Sequence, residues 1–414
     1  MSRLIITGQR RLSGTFTPAG NKNAALPMLA ATVLTDEPVT LRNVPRIQDV
    51  DVMLELLGQL GATIEQNGRN VTVCAKGLKS RKLDPELCKR VRASILLAGP
   101  LAARHGRAVV YPPGGDVIGR RRLDTHFDGL RALGIGIEGG AFYTFRRRTL
   151  KGADLLLDEA SVTATENILM AAVLAKGRTT IFNAACEPHV QDLCRLLQKM
   201  GARITGAGTN FLKISGVGQL KGADHTIGPD YIEIGSYVAA AAATHGEIRV
   251  VCDDENFGES AVVSRTFAKL GVGSRTLRMR KDAGSAVPKV EDGAWPMFPS
   301  DLMSVAIVLA TQARGSVLFF EKMFESRMYF VDRLIEMGAH IVQCDPHRVV
   351  VQGPSRLHAI HMSSPDIRAG MAMIIAALCA KGESVIDQAQ VIDRGYESVD
   401  EKLRALGAEI VREA

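Results

Sequence analysis

Two kinds of apolar segment alternate along the chain. In the first kind, apolar residues recur at helical spacing and end at a glycine, as in Val52, Leu56, Leu57 and Leu60 before Gly61. This predicts an amphipathic helix closed by a left-handed residue. In the second kind, Ala-rich stretches such as "MAMIIAALCA" are apolar on nearly all sides, which predicts buried helices. Because strand-like runs such as "RAVVYPP" follow these stretches, the pattern predicts an α/β or α+β protein whose helices pack inside sheets.

One structural unit repeats along the chain. A Leu-Gly or Met-Gly pair at the end of an amphipathic segment recurs at spacings of 73, 67, 70, 67 and 69 residues, with its glycine at Gly61, Gly134, Gly201, Gly271, Gly338 and Gly407. Six such units are too many for one compact core, so we expect two domains of three units each. Pro229, within "TIGPDYIEIG", marks the expected boundary. A substrate is expected to bind in the cleft between the two domains.

Composition narrows the class of protein. The chain has 414 residues, of which 46% are apolar, so it can form two cores of ordinary size. Its apolar runs are shorter than the roughly 18 residues of a membrane span, and "MSRLIITGQRR" does not have the pattern of a signal peptide. The sequence therefore predicts a soluble, cytoplasmic protein without membrane insertion. Seven cysteines without a CxxC spacing indicate reduced core residues, not a disulfide framework or a zinc site.

The net charge suggests an anionic partner. A charge of +7 and a pI near 9.1 suit nucleic acid, an anionic membrane surface or anionic small substrates. The sequence has no zinc-finger spacing, RNA-binding signature or long basic tail, and its aromatic residues amount to only 5%, which is little material for base stacking. We therefore expect small anionic substrates and no nucleic acid.

Several motifs together closely resemble the UDP-N-acetylglucosamine 1-carboxyvinyltransferases, which are enolpyruvyl transferases of peptidoglycan synthesis. The motifs are "GNKNAALP" at 20–27, "RASILLAGPLAAR" at 92–104, "PGGDVIGRR" at 113–121, "FPSDL" at 298–302, "FESRM" at 324–328, "DIRAG" at 366–370 and "IDRGYE" at 392–397. The resemblance implies a two-domain, inside-out α/β barrel fold of six βαβαββ-type repeats. It implies one domain of residues 22–228, which carries the Asp116 loop, and a second of 229–414 with the N-terminal strand 1–21.

The resemblance also implies an activity. In the family, the 3-hydroxyl of UDP-N-acetylglucosamine adds to phosphoenolpyruvate, and phosphate then leaves, which is the first committed step of peptidoglycan synthesis. This addition–elimination needs groups that bind anions and groups that transfer protons, and it uses no cofactor and no metal. The partners implied are phosphoenolpyruvate and UDP-N-acetylglucosamine. The sequence does not indicate an oligomeric state.

By resemblance, specific residues carry this chemistry. Lys22 contacts phosphoenolpyruvate, Asn23 binds the sugar-nucleotide side, and Asp301 accepts the proton of the sugar hydroxyl. Guanidinium groups suit phosphate and carboxylate ligands, and the corresponding residues are Arg92, Arg121, Arg327, Arg368 and Arg394, the last of them assigned to the substrate carboxylate. Asp366 helps to hold the closed site. Further contacts with the UDP-sugar are expected at Arg122, Leu123, Asp124, Ser161, Val162 and Met323.

Two of these acids have a simpler alternative. Ser300 or Asp301 precedes the apolar run "LMSVAIVLA", so either residue could be a helix N-cap. Asp366 and Arg368 could form a plain structural ion pair.

Asp116 is the main departure from the family pattern. It lies in the loop "YPPGGDVIGRRRLDTH" at 111–126, at the position where most of the family has the cysteine that is proposed to protonate C3 of the substrate. A carboxylic acid can also donate a proton if it is protonated for part of the time. Burial and substrate charge favour that form, whereas Arg120, Arg121 and Arg122 oppose it. The antibiotic fosfomycin alkylates the family's loop cysteine, so we expect this chain to be insensitive to it.

Other departures keep alternatives open. Arg122 replaces a common proline, Glu159 stands where a lysine near the uridine often lies, and Thr163 stands where glycine is common. One alternative is a diverged paralogue with another acceptor, such as shikimate 3-phosphate, although the Lys-Glu-Ser-Asp-Arg run typical of that branch does not occur in the chain. The other alternative is a noncatalytic anion-binding regulator.

Overall fold

The computed structural model describes residues 2–116, 118–119, 121–252, 261–273, 277–280 and 287–413. The chain divides into two compact units. Unit 1 contains Met1–Pro18, Asp116–Arg120 and Pro229–Ala414, and unit 2 contains Ala19–Gly115 and Arg121–Gly228. The short segment around Asp116 therefore groups with unit 1, whereas the sequence-based assignment kept it in the domain of residues 22–228.

Unit 1 begins with two strands, and the chain then enters unit 2. The elements of these two parts are β1 (Arg3–Thr7), β2 (Ser13–Phe16), α1 (Lys22–Ala31), β3 (Val39–Arg42), α2 (Gln48–Leu60), β4 (Thr63–Asn67), β5 (Asn70–Cys74), α3 (Pro85–Arg90), α4 (Ala98–His105), β6 (Arg107–Val110), α5 (Asp124–Ala132), β7 (Ile135–Glu138), β8 (Tyr143–Arg147), β9 (Asp154–Leu156), α6 (Val162–Ala172), β10 (Arg178–Phe182), α7 (Pro188–Lys199), β11 (Arg203–Thr205), β12 (Phe211–Ser215) and β13 (Ala223–Thr226). Short 3-10 turns lie at Thr32–Leu34 and Arg92–Leu97.

The rest of the chain completes unit 1. Its elements are α8 (Tyr231–Ala243), β14 (Glu247–Val250), α9 (Ala261–Lys269), β15 (Lys289–Glu291), α10 (Met303–Gln312), β16 (Gly315–Phe320), α11 (Val331–Glu336), β17 (His340–Asp345), β18 (Arg348–Gly353), β19 (His361–Ser363), α12 (Ile367–Cys379), β20 (Glu383–Asp387), α13 (Val399–Ala405) and β21 (Glu409–Glu413). Two further 3-10 turns, Ser300–Leu302 and Ala389–Arg394, carry candidate site residues.

The four-stranded sheets share one design, in which a strand has a parallel neighbour on one side and an antiparallel neighbour on the other. In unit 2, β3 pairs parallel with β13 and antiparallel with β5, and β10 pairs in the same way with β9 and β12. In unit 1, β16 repeats the design with β15 and β18. The N-terminal strand β1 lies between β20 and β21, with Leu4 opposite Ile386 and Arg412. This pairing explains why the first residues belong to unit 1.

Helices that are apolar on nearly all sides form the centre of each unit. In unit 1, α8, α10 and α12 pack against one another, and each residue of α10 from Met303 to Thr311 is buried. In unit 2, α1, α4 and α6 have the corresponding place, and α4 and α1 both contact α6. The prediction that the Ala-rich segments are buried helices is confirmed. Within the described ranges, no helix combines the length and apolar character required to span a membrane.

The repeated glycines end their helices as predicted. All six have φ between 89° and 103°, a left-handed conformation that costs residues with a side chain about 1 to 2 kcal/mol. At Gly61, for example, the backbone N–H donates to Gly58, and the next residue, Ala62, donates to Leu57. The glycine thereby turns the chain from α2 into β4, and each of the six repeats has a left-handed glycine at the corresponding position.

A buried amide on α6 joins this helix to three other helical segments of unit 2. Asn167, on α6, is fully buried. Its Oδ1 accepts a hydrogen bond from the Gly99 N–H at 2.7 Å, and its Nδ2 donates to the Ile95 carbonyl at 2.9 Å and to His126 Nδ1 at 3.1 Å. A Cβ at Gly99 would lie 2.4 Å from Asn167 Oδ1, so only glycine permits this close approach of α4 and α6.

We predict that Asn167→Ala destabilises unit 2 by about 2 to 4 kcal/mol, because it removes the partner of the buried Gly99 N–H and of the buried His126 Nδ1. Urea unfolding followed by circular dichroism measures the change. Asn210→Ala is the matched control, since Asn210 is exposed, and this substitution should stay within about 0.5 kcal/mol of the wild type. Equal stability of the two variants would contradict a structural role for Asn167.

Candidate active site

Asp301 is held by two buried arginines. It lies in the 3-10 turn before α10, where its Oδ1 accepts a hydrogen bond from Arg327 Nη2 at 3.2 Å. Its Oδ2 accepts from Arg368 Nε at 3.2 Å and Nη2 at 2.9 Å. Both arginines are 4% exposed, whereas the Asp301 side chain is 29% exposed. The N-cap of α10 is Leu302, without a side-chain bond, so Asp301 is an arginine-bound carboxylate that solvent can reach and not a helix cap.

Asp366 places Arg368 next to Asp301. Its Oδ1 accepts from the backbone N–H groups of Arg368 at 2.8 Å and Ala369 at 2.9 Å, which caps α12. The Arg368 guanidinium instead contacts Asp301 and lies 5.4 Å from the centre of the Tyr396 ring. Burial raises the pKa of Asp366, and the two N–H groups and Arg327 act against that rise. The predicted alternative of a plain Asp366–Arg368 ion pair is therefore wrong, because the contact between them is a helix cap.

Asp116 is paired with Arg394. Arg394 Nη1 donates to Asp116 Oδ1 at 2.7 Å, and the two side chains are only 19% and 16% exposed. The following loop residues pack on the segment before Arg327, where the Ser326 N–H donates to the Ile118 carbonyl at 3.2 Å. Arg120, which was also expected near Asp116, lies outside the described residues. Unit 1 thus brings together Asp116, Asp301, Arg327, Asp366, Arg368 and Arg394.

Glu321 lies next to Ser300 and Arg327 and was missed by the sequence analysis. It is fully buried, and it accepts hydrogen bonds from Ser300 Oγ at 2.8 and 3.0 Å and from the Met323 and Phe324 N–H groups at 3.1 Å. Arg327 Nε lies 4.0 Å from its Oε2. Burial and the neighbouring Asp292 raise the pKa of Glu321 to about 9, against the effect of Arg327. The available signal was a single acid directly after the apolar strand "SVLFF".

Met323 lies in the same segment as Glu321, and its side chain is 44% exposed. It is therefore accessible to a ligand, as its assignment to the UDP-sugar requires.

Lys22 forms a buried ion pair in unit 2. It is the first residue of α1, whose N-cap Asn21 accepts from the Ala24 N–H at 3.1 Å. Lys22 Nζ lies 2.7 Å from Asp49 Oδ2, and both side chains are nearly buried. Asn23 is partly exposed. The helix α1 also packs against the 3-10 turn that begins at Arg92, so these candidate residues lie on adjoining elements.

Arg92 and Arg121 form a second cationic group of unit 2. Arg92 Nη2 donates to the Arg121 carbonyl at 2.6 Å. Burial and the charge of Arg121 lower the pKa of Arg92 to about 10, and Glu159 partly offsets this. Arg122 is exposed and pairs with Asp124, which begins α5.

The remaining residues assigned to the UDP-sugar are also accessible. Leu123 is partly exposed, and Ser161 caps α6 immediately before Val162, both of them partly exposed. The loop and the helix start therefore present side chains on which a nucleotide could be held.

Thr163, one of the departures from the family pattern, has a local partner. Its Oγ1 lies 3.1 Å from His126 Nε2. Because the Asn167 amide donates to His126 Nδ1, the neutral ring donates from Nε2 to Thr163. Burial and the charge of Arg92 lower the pKa of His126 to about 3. The Thr163 hydroxyl therefore continues the line of hydrogen bonds that runs from Asn167 through the His126 ring.

The two groups suit the same general chemistry. Each presents guanidinium or ammonium groups that can hold anions, and unit 1 adds carboxylates that can accept or donate a proton. Within the described ranges, no group of three or more His, Cys, Asp or Glu side chains could hold a metal ion.

Comparison with known proteins shows full-length relatives. The family model described as EPSP synthase (3-phosphoshikimate 1-carboxyvinyltransferase) matches residues 6–403. The UDP-N-acetylglucosamine 1-carboxyvinyltransferase of Bradyrhizobium diazoefficiens is 53% identical over 99% of this chain and 97% of that protein. The protein of the same name from Treponema denticola is 50% identical over 99% of both chains.

Solved structures show the same fold. The enolpyruvyl transferase NikO from Streptomyces tendae is similar with a TM-score of 0.87 at 23% identity and covers 99% of this chain and 98% of its own. An EPSP synthase from Acinetobacter baumannii is similar with a TM-score of 0.76 at 19% identity over 100% of both chains. The predicted two-domain, inside-out α/β fold is confirmed.

We predict that His126 lowers the free energy of unfolding as the pH falls below about 6.5. The unfolded chain binds a proton at this residue near pH 6.5, whereas the folded protein binds one only near pH 3. Between these values the unfolded state holds more protons, so the contribution of His126 is present above pH 6.5 and is lost as the pH falls. His126→Gln should remove about 1.4 kcal/mol per pH unit from the slope of unfolding free energy between pH 5.5 and 4.5. Urea unfolding at several pH values tests this, and parallel slopes for the two proteins would contradict it.

Proposed function

The chain belongs to the EPSP synthase family of enolpyruvyl transferases, and we propose that it transfers the enolpyruvyl group of phosphoenolpyruvate to the 3-hydroxyl of UDP-N-acetylglucosamine with release of phosphate. The observation that carries this proposal is the full-length identity of 53% and 50% with proteins named for that transfer. The cationic groups of both units support it. A role in peptidoglycan synthesis and a cytoplasmic location form part of the proposal.

The proposed chemistry is an addition followed by an elimination. Asp301 accepts the proton of the sugar hydroxyl while the hydroxyl oxygen forms a bond to C2 of phosphoenolpyruvate. At the same time, the electron pair of the C2–C3 double bond takes a proton from Asp116, so that C3 becomes protonated. The bond from C2 to the phosphate oxygen then breaks while the Asp116 carboxylate takes a proton back from C3, and the electron pair of that C–H bond restores the double bond. Asp301 returns its proton to solvent. Arg327 and Arg368 fix the Asp301 oxygens, so the base is held in position before substrate arrives.

Asp116 and the substrate compete for one guanidinium. Arg394, assigned to the substrate carboxylate, is hydrogen-bonded to the Asp116 carboxylate. A carboxylate of phosphoenolpyruvate matches the same guanidinium fork, so substrate binding displaces Asp116 from it. The released side chain, close to the anionic substrate, is then more easily protonated and can serve as the acid.

Unit 2 supplies the remaining substrate contacts of the proposal. Lys22 binds the phosphate of phosphoenolpyruvate, and Arg92 with Arg121 binds the diphosphate of the nucleotide. Asn23, Arg122, Leu123, Asp124, Ser161, Val162 and, in unit 1, Met323 contact the UDP-sugar. Because Glu159 already stabilises the charged form of Arg92, its negative charge lies near the diphosphate and should weaken nucleotide binding. This is the expected cost of replacing the family's lysine at this position.

Phosphate release from phosphoenolpyruvate tests the proposal. We expect release to depend on UDP-N-acetylglucosamine and not on shikimate 3-phosphate, the acceptor of the reaction for which the family model is named. Release with shikimate 3-phosphate alone would support the sister activity, and no release with either acceptor would support a noncatalytic binding protein.

Arg394→Ala should lower kcat/KM for phosphoenolpyruvate at least tenfold, because one charge-assisted contact contributes about 1.5 to 3 kcal/mol. Arg10→Ala is the matched control, since Arg10 is exposed and, among the residues that the structure describes, its ion-pair partner is Glu409 on the surface of unit 1. Equal activity of the two variants would remove Arg394 from the site. Lys22→Ala is a less specific test, because it also removes the ion pair between Lys22 and the buried Asp49 and should therefore lower stability.

Asp116 generates a separate prediction. A carboxylate attacks an epoxide far less readily than a thiolate does, so the wild-type protein should turn over in the presence of fosfomycin without forming an adduct. Asp116→Cys should stay active and become sensitive, and Asp116→Ala should lose most turnover because it has no proton to give. Mass spectrometry after incubation with fosfomycin and UDP-N-acetylglucosamine is the measurement. An adduct on the wild-type 111–126 peptide, or a fully active Asp116→Ala enzyme, would contradict these roles.

A further inference from the structure

A cavity of about 490 Å³ lies in unit 1 at the carboxyl-terminal ends of the central helices α8, α10 and α12. Its walls come from these helix ends and from the segments that follow β1 and β18. The lining residues with exposed side chains that can hold a ligand by charge or hydrogen bonds are Gln9, Arg11, His245, Arg356, His358 and Lys381. The cavity is large enough for a small metabolite.

The charge of this cavity is one-sided. Arg11, Arg356 and Lys381 are cationic, two histidines stand beside them, and no Asp or Glu lies among the lining residues. None of these basic side chains forms a hydrogen bond or an ion pair with any described residue. They are exposed, so their charge is available to a ligand.

A simpler explanation is that these cations stabilise the negative ends of the helices. Most of the terminal helix carbonyls, however, already have backbone partners. Gln9 N–H donates to the Leu378 carbonyl at 2.8 Å, Ser355 N–H to Thr311 at 2.7 Å, and Gly246 N–H to Ala241 at 2.8 Å. These bonds cap α12, α10 and α8 without the help of a basic side chain.

In unit 2, by contrast, an arginine side chain does donate to the carbonyls at a helix end. There, Arg104 donates to the carbonyls of Val33 at 2.7 Å and Thr35 at 2.8 Å, and it also pairs with Asp36. The basic residues of the unit 1 cavity make no such contacts, so helix capping does not account for them.

We propose that this cavity binds a compact phosphate-bearing metabolite. Arginine and lysine together match phosphate oxygens, and the exposed Gln9 amide adds hydrogen-bonding groups. Ala243, Leu357 and Leu378 give the cavity an apolar part that suits a short aliphatic or sugar carbon skeleton. No Phe, Tyr or Trp is among the lining residues, which disfavours a ligand held by base stacking. Burial raises the pKa of Cys379 to about 12, so its thiol stays neutral and does not repel an anion.

The cavity is distinct from the candidate active site. Asp301 precedes the first residue of α10, whereas Gln312 is the last residue of that helix, a separation of about 15 Å along its axis. On α12, Arg368 lies in the first turn and Cys379 is the last residue, which gives about 17 Å. A ligand in the cavity therefore does not contact the residues assigned to catalysis.

Calorimetric titration with inorganic diphosphate at constant ionic strength tests the proposal. Because the candidate active site also attracts phosphate, hydrogen exchange of the full chain must locate the binding. We expect diphosphate to slow exchange in peptides covering 243–247, 355–360 and 378–383. The double variant Arg356→Gln/Lys381→Gln should lose this protection, bind at the cavity at least tenfold more weakly, and keep its basal turnover.

Lys176→Gln is the matched control. Lys176 precedes Gly177 in unit 2 as Lys381 precedes Gly382 in unit 1, and it is exposed, so its replacement should leave the protection of the three peptides unchanged. Protection confined to peptides of the candidate active site, or equal protection in the wild type and the double variant, would overturn the proposal. If the double variant fails to fold, the single variant Arg356→Gln gives the same comparison with a smaller expected loss.

Discussion

The burial of two guanidinium groups is the constraint on which the candidate site depends. Arg327 and Arg368 are each 4% exposed, and a cation removed from water costs several kcal/mol unless acids compensate it. Asp301 contacts both arginines, and Glu321 lies beside Arg327. Asp301 is the carboxylate that compensates both cations, since the Glu321 carboxyl, with its pKa raised to about 9, is protonated at neutral pH. Replacing Asp301 by an uncharged residue would therefore leave both buried cations poorly compensated. The geometry around Asp301 is therefore enforced by electrostatics as well as by packing.

The central helices explain why these residues meet. Asp301 precedes α10 and Asp366 caps α12, and the two helices pack against each other over apolar faces. Their starting points are thereby fixed relative to one another, although the two acids are far apart in sequence. Tyr396 adds support from a third segment, since its ring lies against Arg368 and its hydroxyl bonds to Ser236 on α8 at 2.8 Å. A rigid scaffold can thus hold an exposed carboxylate that a loop alone would not keep in place.

Much of the fold could be predicted from local pattern, whereas the partners of the site residues could not. The repeated glycines and the Ala-rich segments are local signals, and the structure follows them closely. No local signal indicates that Asp301 binds arginines instead of capping α10. The same is true of the pairing of Asp116 with Arg394. Asp116 and Arg394 are 278 positions apart, and this contact depends on where the loop packs. Glu321 was missed for the same reason, because burial of an acid becomes favourable only through partners that tertiary structure supplies.

The two ends of the central helices can attract anions for different physical reasons. At the amino-terminal ends, free N–H groups and the helix dipole favour negative charge, and part of this capacity is used by Asp366 in capping α12. At the carboxyl-terminal ends the dipole opposes an anion, so side-chain charge must supply the whole attraction. The cavity is lined by Arg11, Arg356 and Lys381, and no acid is among its lining residues. These positive charges can offset the negative ends of the helix dipoles. Binding there should consequently weaken more steeply with salt than binding near Asp301, because exposed charges are screened more than buried ones.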